Sequence, residues 1–328
     1  MKYPITPVVS IVQKLGVYGL VLIVAALGIG ASPNFLTLST LLSVLDSSML
    51  LGIVAVGVAF VTYSGNYADL SVPTTMAFSG VVAVEVLQFG IGVALMAGLL
   101  TGLVIGVVNG VVVGKWRANP IIWTLAMSFV VKGLMRWIWQ NKQIYPDVKG
   151  GETAAGRIFT ELYRFEVLPK VAIPAVVLVF LVIIGQYVLK RTQFGQQLKL
   201  VGSNPKAAAM TGINVPLVVG MTFVISASAA AVAGIFITSL SKVGAYYNGD
   251  GFDFAAVTAI VVGGLTLAGG RGDIVGVLGG VFVIGLMRNV MTLYGMGTFS
   301  QQIVTGIVFI SVVGLNAVSL RKLGQDDA

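Results

Sequence analysis

Of 328 residues, 57% are hydrophobic and only 10% are charged. Soluble domains carry about 25% charged residues, so this chain cannot coat a soluble surface and its solvent must be largely lipid. A formal net charge of +8 would point to nucleic acid in a soluble protein; here the basic residues fall mainly in short loops on one side, an orientation signal, and no nucleic-acid partner is expected.

Runs of about 20 apolar residues mark membrane spans. Ten candidates occur: Leu15–Gly30, Ser43–Tyr63, Thr74–Leu87, Gly90–Val113, Ile121–Trp139, Val171–Leu189, Val215–Leu240, Phe254–Ala268, Ile274–Leu293 and Gln302–Val318. The first follows Lys2 and Lys14 in the manner of a signal peptide, but the spans behind it favour an uncleaved membrane helix. The third and eighth are short and lie beside the polar turns SGNYADLS and AGGRGD. Broken helices that line a cavity and simple hydrophobic mismatch both account for them. The expected fold is all-α: one polytopic membrane domain over 1–328, with about ten transmembrane helices, the third and eighth short or broken.

Lys and Arg in short loops set the orientation. With the N-terminus inside, ten crossings place Lys115 and Arg117, the loop 190–214, Arg271, and Arg321 with Lys322 on the cytoplasmic side. The SPNFLT loop, the mixed-charge segment 140–170 and the loop holding Lys242, Asp250 and Asp253 fall outside. The topology is N-in and C-in.

In the fourth span Gly98, Gly102, Gly106, Gly110 and Gly114 recur every four residues, close to one helix face, where a partner backbone can approach. Gly272, Gly276 and Gly280 repeat the device at the ninth. These glycines can pack within one chain or across a dimer. Asp46, Glu85, Lys132, Arg136 and Arg288 fall within spans, where ionisable groups are costly. Snorkelling or mutual pairing, such as Glu85 with Lys132 or Arg288, is one account and a polar mouth to a pathway is the other. Asn109, inside the glycine-rich span, suits interhelical hydrogen bonding or pathway contact. With Asp69 in the turn before the third span, Asn109, Glu85 and Arg288 form the set of candidate pathway or structural polar residues.

The loop KRTQFGQQLKLVGSNPKAAAMTGIN, 190–214, contains a miniature helix with its own signals. Asn204 is placed to N-cap, Pro205 suits the first turn, Lys206, Ala207, Ala208, Ala209 and Met210 are helix formers, and Gly212 suits a left-handed stop. So short a helix would not persist alone in water, which leaves a part held against something or an ordinary solvated turn.

Cys and His are both absent, which removes thiol nucleophiles, disulfides, imidazole bases and the usual zinc ligands. No G-x-x-x-x-G-K-[ST] phosphate loop occurs; GVVVGKW, Gly110 to Trp116, has the wrong spacing and sits in a span. No cofactor is expected in this chain, and an enzyme is the least supported class. Energy for transport would come from an ion gradient or a partner chain.

Four stretches resemble the membrane permeases of ribose-type ABC sugar importers, related to the branched-chain amino-acid permeases. GIVAVGVAFVTYSG with ADLSV, Gly52 to Val72, is similar to the family's second span and its S-G-G-I-D-L-S-V-G turn. Asn109-Gly110 matches the family's N-G in the fourth span. RTQFGQQLKLVGSNPKAAAMTGINV, Arg191 to Val215, and VVGGLTLAGGRGDIVGVLGGVFVIGLMRNVMTLYGM, Val261 to Met296, are similar to its two most specific segments. The chain departs from the pattern at Pro73, where glycine is usual, at Leu265 in place of the T of G-G-T, and at Arg288 and Val290 within the usual N-N-G-L.

The resemblance implies a bacterial inner-membrane permease paired with a second copy or a related permease. Cytoplasmic ABC ATPases carrying ATP and Mg lie beneath, and a periplasmic sugar-binding protein lies above. It assigns the coupling helix to Asn204–Gly212 and the cargo to a monosaccharide or related polyol. A branched-chain amino-acid permease is the alternative, and an ion-coupled secondary transporter is the third.

Overall fold

The computed structural model describes residues 19, 21–32, 35, 37–146, 153–168 and 171–325; the side chains of Leu168 and of residues beyond 314 are not described. Lys2, Lys14, the start of the first span at Leu15, much of the SPNFLT loop, Asp147, Lys149, Glu152, Lys170 and the side chains of Arg321 and Lys322 therefore lie outside the described residues.

The helices are α1 (Val21–Ala31), then α2 (Leu38–Tyr63), α3 (Val72–Glu85), α4 (Ile91–Gly110), α5 (Pro120–Trp139), α6 (Ala154–Glu161), α7 (Ile173–Arg191), α8 (Gln193–Ser203), α9 (Pro205–Met210), α10 (Val215–Ser241), α11 (Phe252–Val262), α12 (Ile274–Leu293) and α13 (Thr298–Gln325). A π turn, Val111–Lys115, continues α4. Among the described residues, α2, α4 with its extension, α5, α7, α10 and α12 are long and apolar enough to cross a membrane, and α1, α3, α11 and Thr298–Gly314 of α13 are shorter apolar helices.

The all-α expectation needs one correction. The segment 140–170 contributes two strands, β1 (Glu166–Leu168) and β2 (Val171–Ala172), paired antiparallel. The eighth predicted span is also cut short. Helix α11 stops at Val262 rather than Ala268, because Gly263 caps it and Gly264 turns left-handed at φ +87°. At 1.5 Å per residue its 11 residues reach only about 16 Å, roughly half a hydrocarbon core. Helix α3, with 14 residues, falls short as well. Pro73 sits in its first turn, where a missing N–H removes no helix bond.

In lipid there is no hydrophobic drive between helices, so close packing of small residues has to hold them. Helix α2 is the centre of the bundle, buried on all sides from Leu50 to Tyr63. Helix α10, rich in Ala and Gly, packs on α2, α3 and α4; α12 packs on α2, α7 and α11. The outer helices carry the lipid-facing side chains, such as Phe129 and Trp137 on α5 and Phe180 and Ile183 on α7. The glycine rows are internal seams. A Cβ at Gly98 would meet Ser79 O and Ile235, at Gly102 Ala231 and Ala227 O, at Gly106 Ala227 and Val224, at Gly110 the backbone of Gly220, and at Gly114 Pro216 O. Apart from Ser79, all these partners lie on α10 of the same chain. Gly276 and Gly280 meet Gly263 and Ala259 at the end of α11, while Gly272, in the loop before α12, meets Leu265.

Candidate functional site

The loop 190–214 forms two helices, of which the sequence signals showed only the second. Thr192 accepts from Gly195 N at 3.2 Å to cap α8. Leu198 and Val201 of α8 are buried. Asn204 Oδ1 accepts from Ala207 N at 3.0 Å to cap α9, and Gly212 takes φ +83° beyond its other end. Ala208 turns inward and is 3% exposed, while Met210 is 90% exposed. Helix α9 is thus a six-residue projection anchored by one side chain, with Pro205, Lys206, Ala207, Ala209 and Met210 presented outward.

Helix α8 reaches the interior through glycine. Gly202 lies against Tyr63 O and Gly270 N, and Gly270 N donates to Tyr63 O at 2.8 Å. The end of α2, the loop after α11 and the helix leading to α9 therefore meet at one point. Two further links join α7 to the start of α12. Gln186 Oε1 accepts from Ile274 N at 2.9 Å. Lys190 pairs with Asp273 at 3.6 Å, and Asp273 Oδ1 caps α12 through Gly276 N at 2.9 Å. A cavity of about 440 Å³ opens beside this junction, with Lys190, Arg191 and Lys199 on its walls.

A buried polar knot lies a few residues away. Asp69, 1% exposed, accepts from Ser71 N at 3.0 Å, Ser71 Oγ at 2.6 Å and Ser226 Oγ at 2.9 Å. Asn109 Nδ2 donates to Ser71 Oγ at 2.9 Å, and Asn109 Oδ1 accepts from Trp123 Nε1 at 3.0 Å. Leu70 N donates to Thr124 Oγ1 at 3.0 Å. One turn is thereby tied to α4, α5 and α10. Burial pushes the Asp69 carboxyl, in the turn between helices, above the usual carboxylate range, and the bonds from Ser71 and Ser226 act against that. Asn109 stands just before the π turn; such turns recur at functional sites. Ser226, Trp123 and Thr124 were missed in the sequence because nothing local marks a Ser, Trp or Thr in an apolar helix as a partner of Asp69, Asn109 or the backbone of Leu70.

The expected pairing of Glu85 with Lys132 or Arg288 is not what the structure shows. Lys132 pairs with Asp250 at 3.1 Å, because the loop after α10 folds back over α5. Arg136 stacks over Tyr246 of the same loop, 4.6 Å from its ring centre. Glu85 accepts from Trp139 Nε1 at 3.1 Å. Arg288 stands apart at the same end of the bundle. It lines a cleft of about 300 Å³ between α2, α12 and α13, with Ser43, Ser47, Asn289, Thr292 and Gln301 around it.

Comparison with known proteins places this architecture. Residues 40–313 match the family described as branched-chain amino acid transport system / permease component. The ribose import permease protein RbsC of Bacillus subtilis (strain 168) is 33% identical over 318 residues, 94% of each chain. The ribose import permease protein RbsC of Escherichia coli (strain K12) is 30% identical over 288 residues, 86% of this chain and 87% of its own. The L-arabinose transport system permease protein AraH of the same strain is 30% identical over 303 residues, 90% and 89% of the two chains. No solved structure matches. With its apolar helices, the chain is a multi-pass membrane protein and a transport component, and it belongs to the permease family of the ribose-type ABC sugar importers.

Proposed function

We propose that this chain is the membrane subunit of an ATP-driven importer that carries a monosaccharide or related polyol across the bacterial inner membrane by alternating access. The relatives that match along nearly their whole length are named for ribose and L-arabinose, which favours a sugar over the branched-chain amino acid of the family description. The carrying observation is α9, capped at Asn204 and projecting at the end of the bundle where the short helices' turns meet. A projection that exposes Met210 at 90% suits a groove on an ATPase that holds ATP and Mg. Movement of α9 would then pass through α8 and Gly202 to the ends of α2 and α11. The remaining parts of the assembly are a periplasmic sugar-binding protein above and a second permease copy, or a related permease, alongside.

Replacing Lys206–Met210 with Gly/Ser tests this. The variant should insert normally and lose co-purification of the ATPase. ATPase capture that survives the replacement, or uptake by the wild-type chain without any ATPase, contradicts the proposal. Transport by the chain alone in liposomes, abolished by an ionophore, would instead establish the ion-coupled class. Ligand binding by the partner binding protein separates sugar from branched-chain amino acid.

A further inference from the structure

The cleft around Arg288 lies at the end of the bundle opposite α9, and its volume of about 300 Å³ is at the small end of the roughly 300–1,000 Å³ typical of small-molecule sites. Its polar groups divide by hydrogen-bonding sense. Ser43 Oγ donates back to Ser39 O at 2.9 Å and Ser47 Oγ to Val44 O at 3.0 Å, which leaves their lone pairs for the cleft. Asn289 Oδ1 is buried with no partner. Gln301 Nε2 is already engaged by Thr292 Oγ1 at 3.1 Å and Met296 O at 3.0 Å. The vacant groups on α2, the lone pairs of Ser43 and Ser47, are therefore acceptors, suited to hydroxyls that donate.

Arg288 is the opposite: a fixed positive fork of N–H donors with no acceptor. The ion pairs among the described residues are Lys132–Asp250 and Lys190–Asp273. The guanidinium of Arg288 has neither an acid nor a hydrogen-bond partner among them. An uncompensated cation in a membrane bundle is expensive to keep, and a carboxylate matches its fork with two parallel bonds.

We propose that this cleft contacts the transported molecule, and that the molecule is a monosaccharide-sized polyol bearing one carboxylate. The carboxylate docks on Arg288, and hydroxyls donate to Ser43 and Ser47. This rests on the importer function proposed above and narrows its cargo from neutral sugars to acidic ones.

D-gluconate and D-sorbitol differ by that carboxylate, so they make the test. Saturation-transfer NMR on the purified chain in nanodiscs should show gluconate binding at millimolar concentration and at least about tenfold weaker sorbitol binding. Arg288→Gln should weaken gluconate about tenfold or more and leave sorbitol unchanged. Arg288→Lys, which keeps the charge and loses the fork, should fall between. Ser47→Val should weaken both ligands. Equal binding of the two polyols by the wild-type chain overturns the inference. So does no gluconate signal, or gluconate binding unchanged in an Arg288→Gln variant of normal melting temperature. If Arg288→Gln does not fold, the wild-type comparison and Arg288→Lys decide. ATPase capture through α9 is a separate readout: its presence alongside equal polyol binding would defeat the acidic cargo alone, and its absence would defeat the importer itself.

Discussion

Asp69 shows how a single carboxylate can tie one turn to three helices. Three donors converge on it, and its partner Ser71 passes the connection to Asn109 and Trp123. Asp69→Ala leaves those donors buried without an acceptor, at about 1–3 kcal/mol for each group left unsatisfied, so the melting temperature of the purified protein should fall sharply. Asp69→Asn keeps the shape and one acceptor, and should fall less. Asn109→Leu should resemble the alanine variant, because it orphans Trp123 Nε1. Equal melting temperatures for Asp69→Ala and the wild type would show that the knot contributes nothing. The sequence exposed Asn109 as a polar residue inside an apolar span and Asp69 as part of the polar turn before the third span, but no periodicity or spacing links them. The link depends on the turn folding back into the bundle, a long-range event that local pattern cannot encode. The partner of Lys132 was misread for the same reason: Asp250 lies 118 positions away.

Helices and their seams were more legible. Long apolar runs read directly as helices because the bilayer requires every backbone group to be bonded internally. Glycines at four-residue spacing gave the face of close approach, and the capping residues gave α9 almost to the residue. Helix α8 was missed because its amphipathic pattern is short and lies inside a basic loop, and α11 was read too long because the glycine pair at 263–264 stands within an apolar run. The seam permits a paired measurement. Gly102→Leu drives a side chain into Ala231 and the Ala227 carbonyl and should lower the melting temperature strongly. Gly133→Ala, on an α5 face with nothing within 4 Å, should raise it slightly, since alanine is favoured over glycine in a helix by about 0.5–1 kcal/mol. Similar shifts for both variants would remove the seam as the cause.

For the whole molecule, the absence of Cys makes orientation directly measurable. Met210→Cys, at a side chain 90% exposed, should react with a membrane-impermeant maleimide in inside-out vesicles and not in right-side-out ones. Tyr294→Cys, at the opposite end and 55% exposed, should do the reverse. Labelling of both from the same face would refute the N-in, C-in topology. The α4–α10 seam has a mechanical consequence at this scale. Where backbone lies on backbone, there is no layer of side chains to repack, so the two helices must travel together as one stiff plank. A transporter that opens alternately to its two sides would have to flex along other lines, among them the side-chain packing between α2 and α12. A disulfide bolting α4 to α10 should therefore leave uptake running, and one bolting α2 to α12 should stall it.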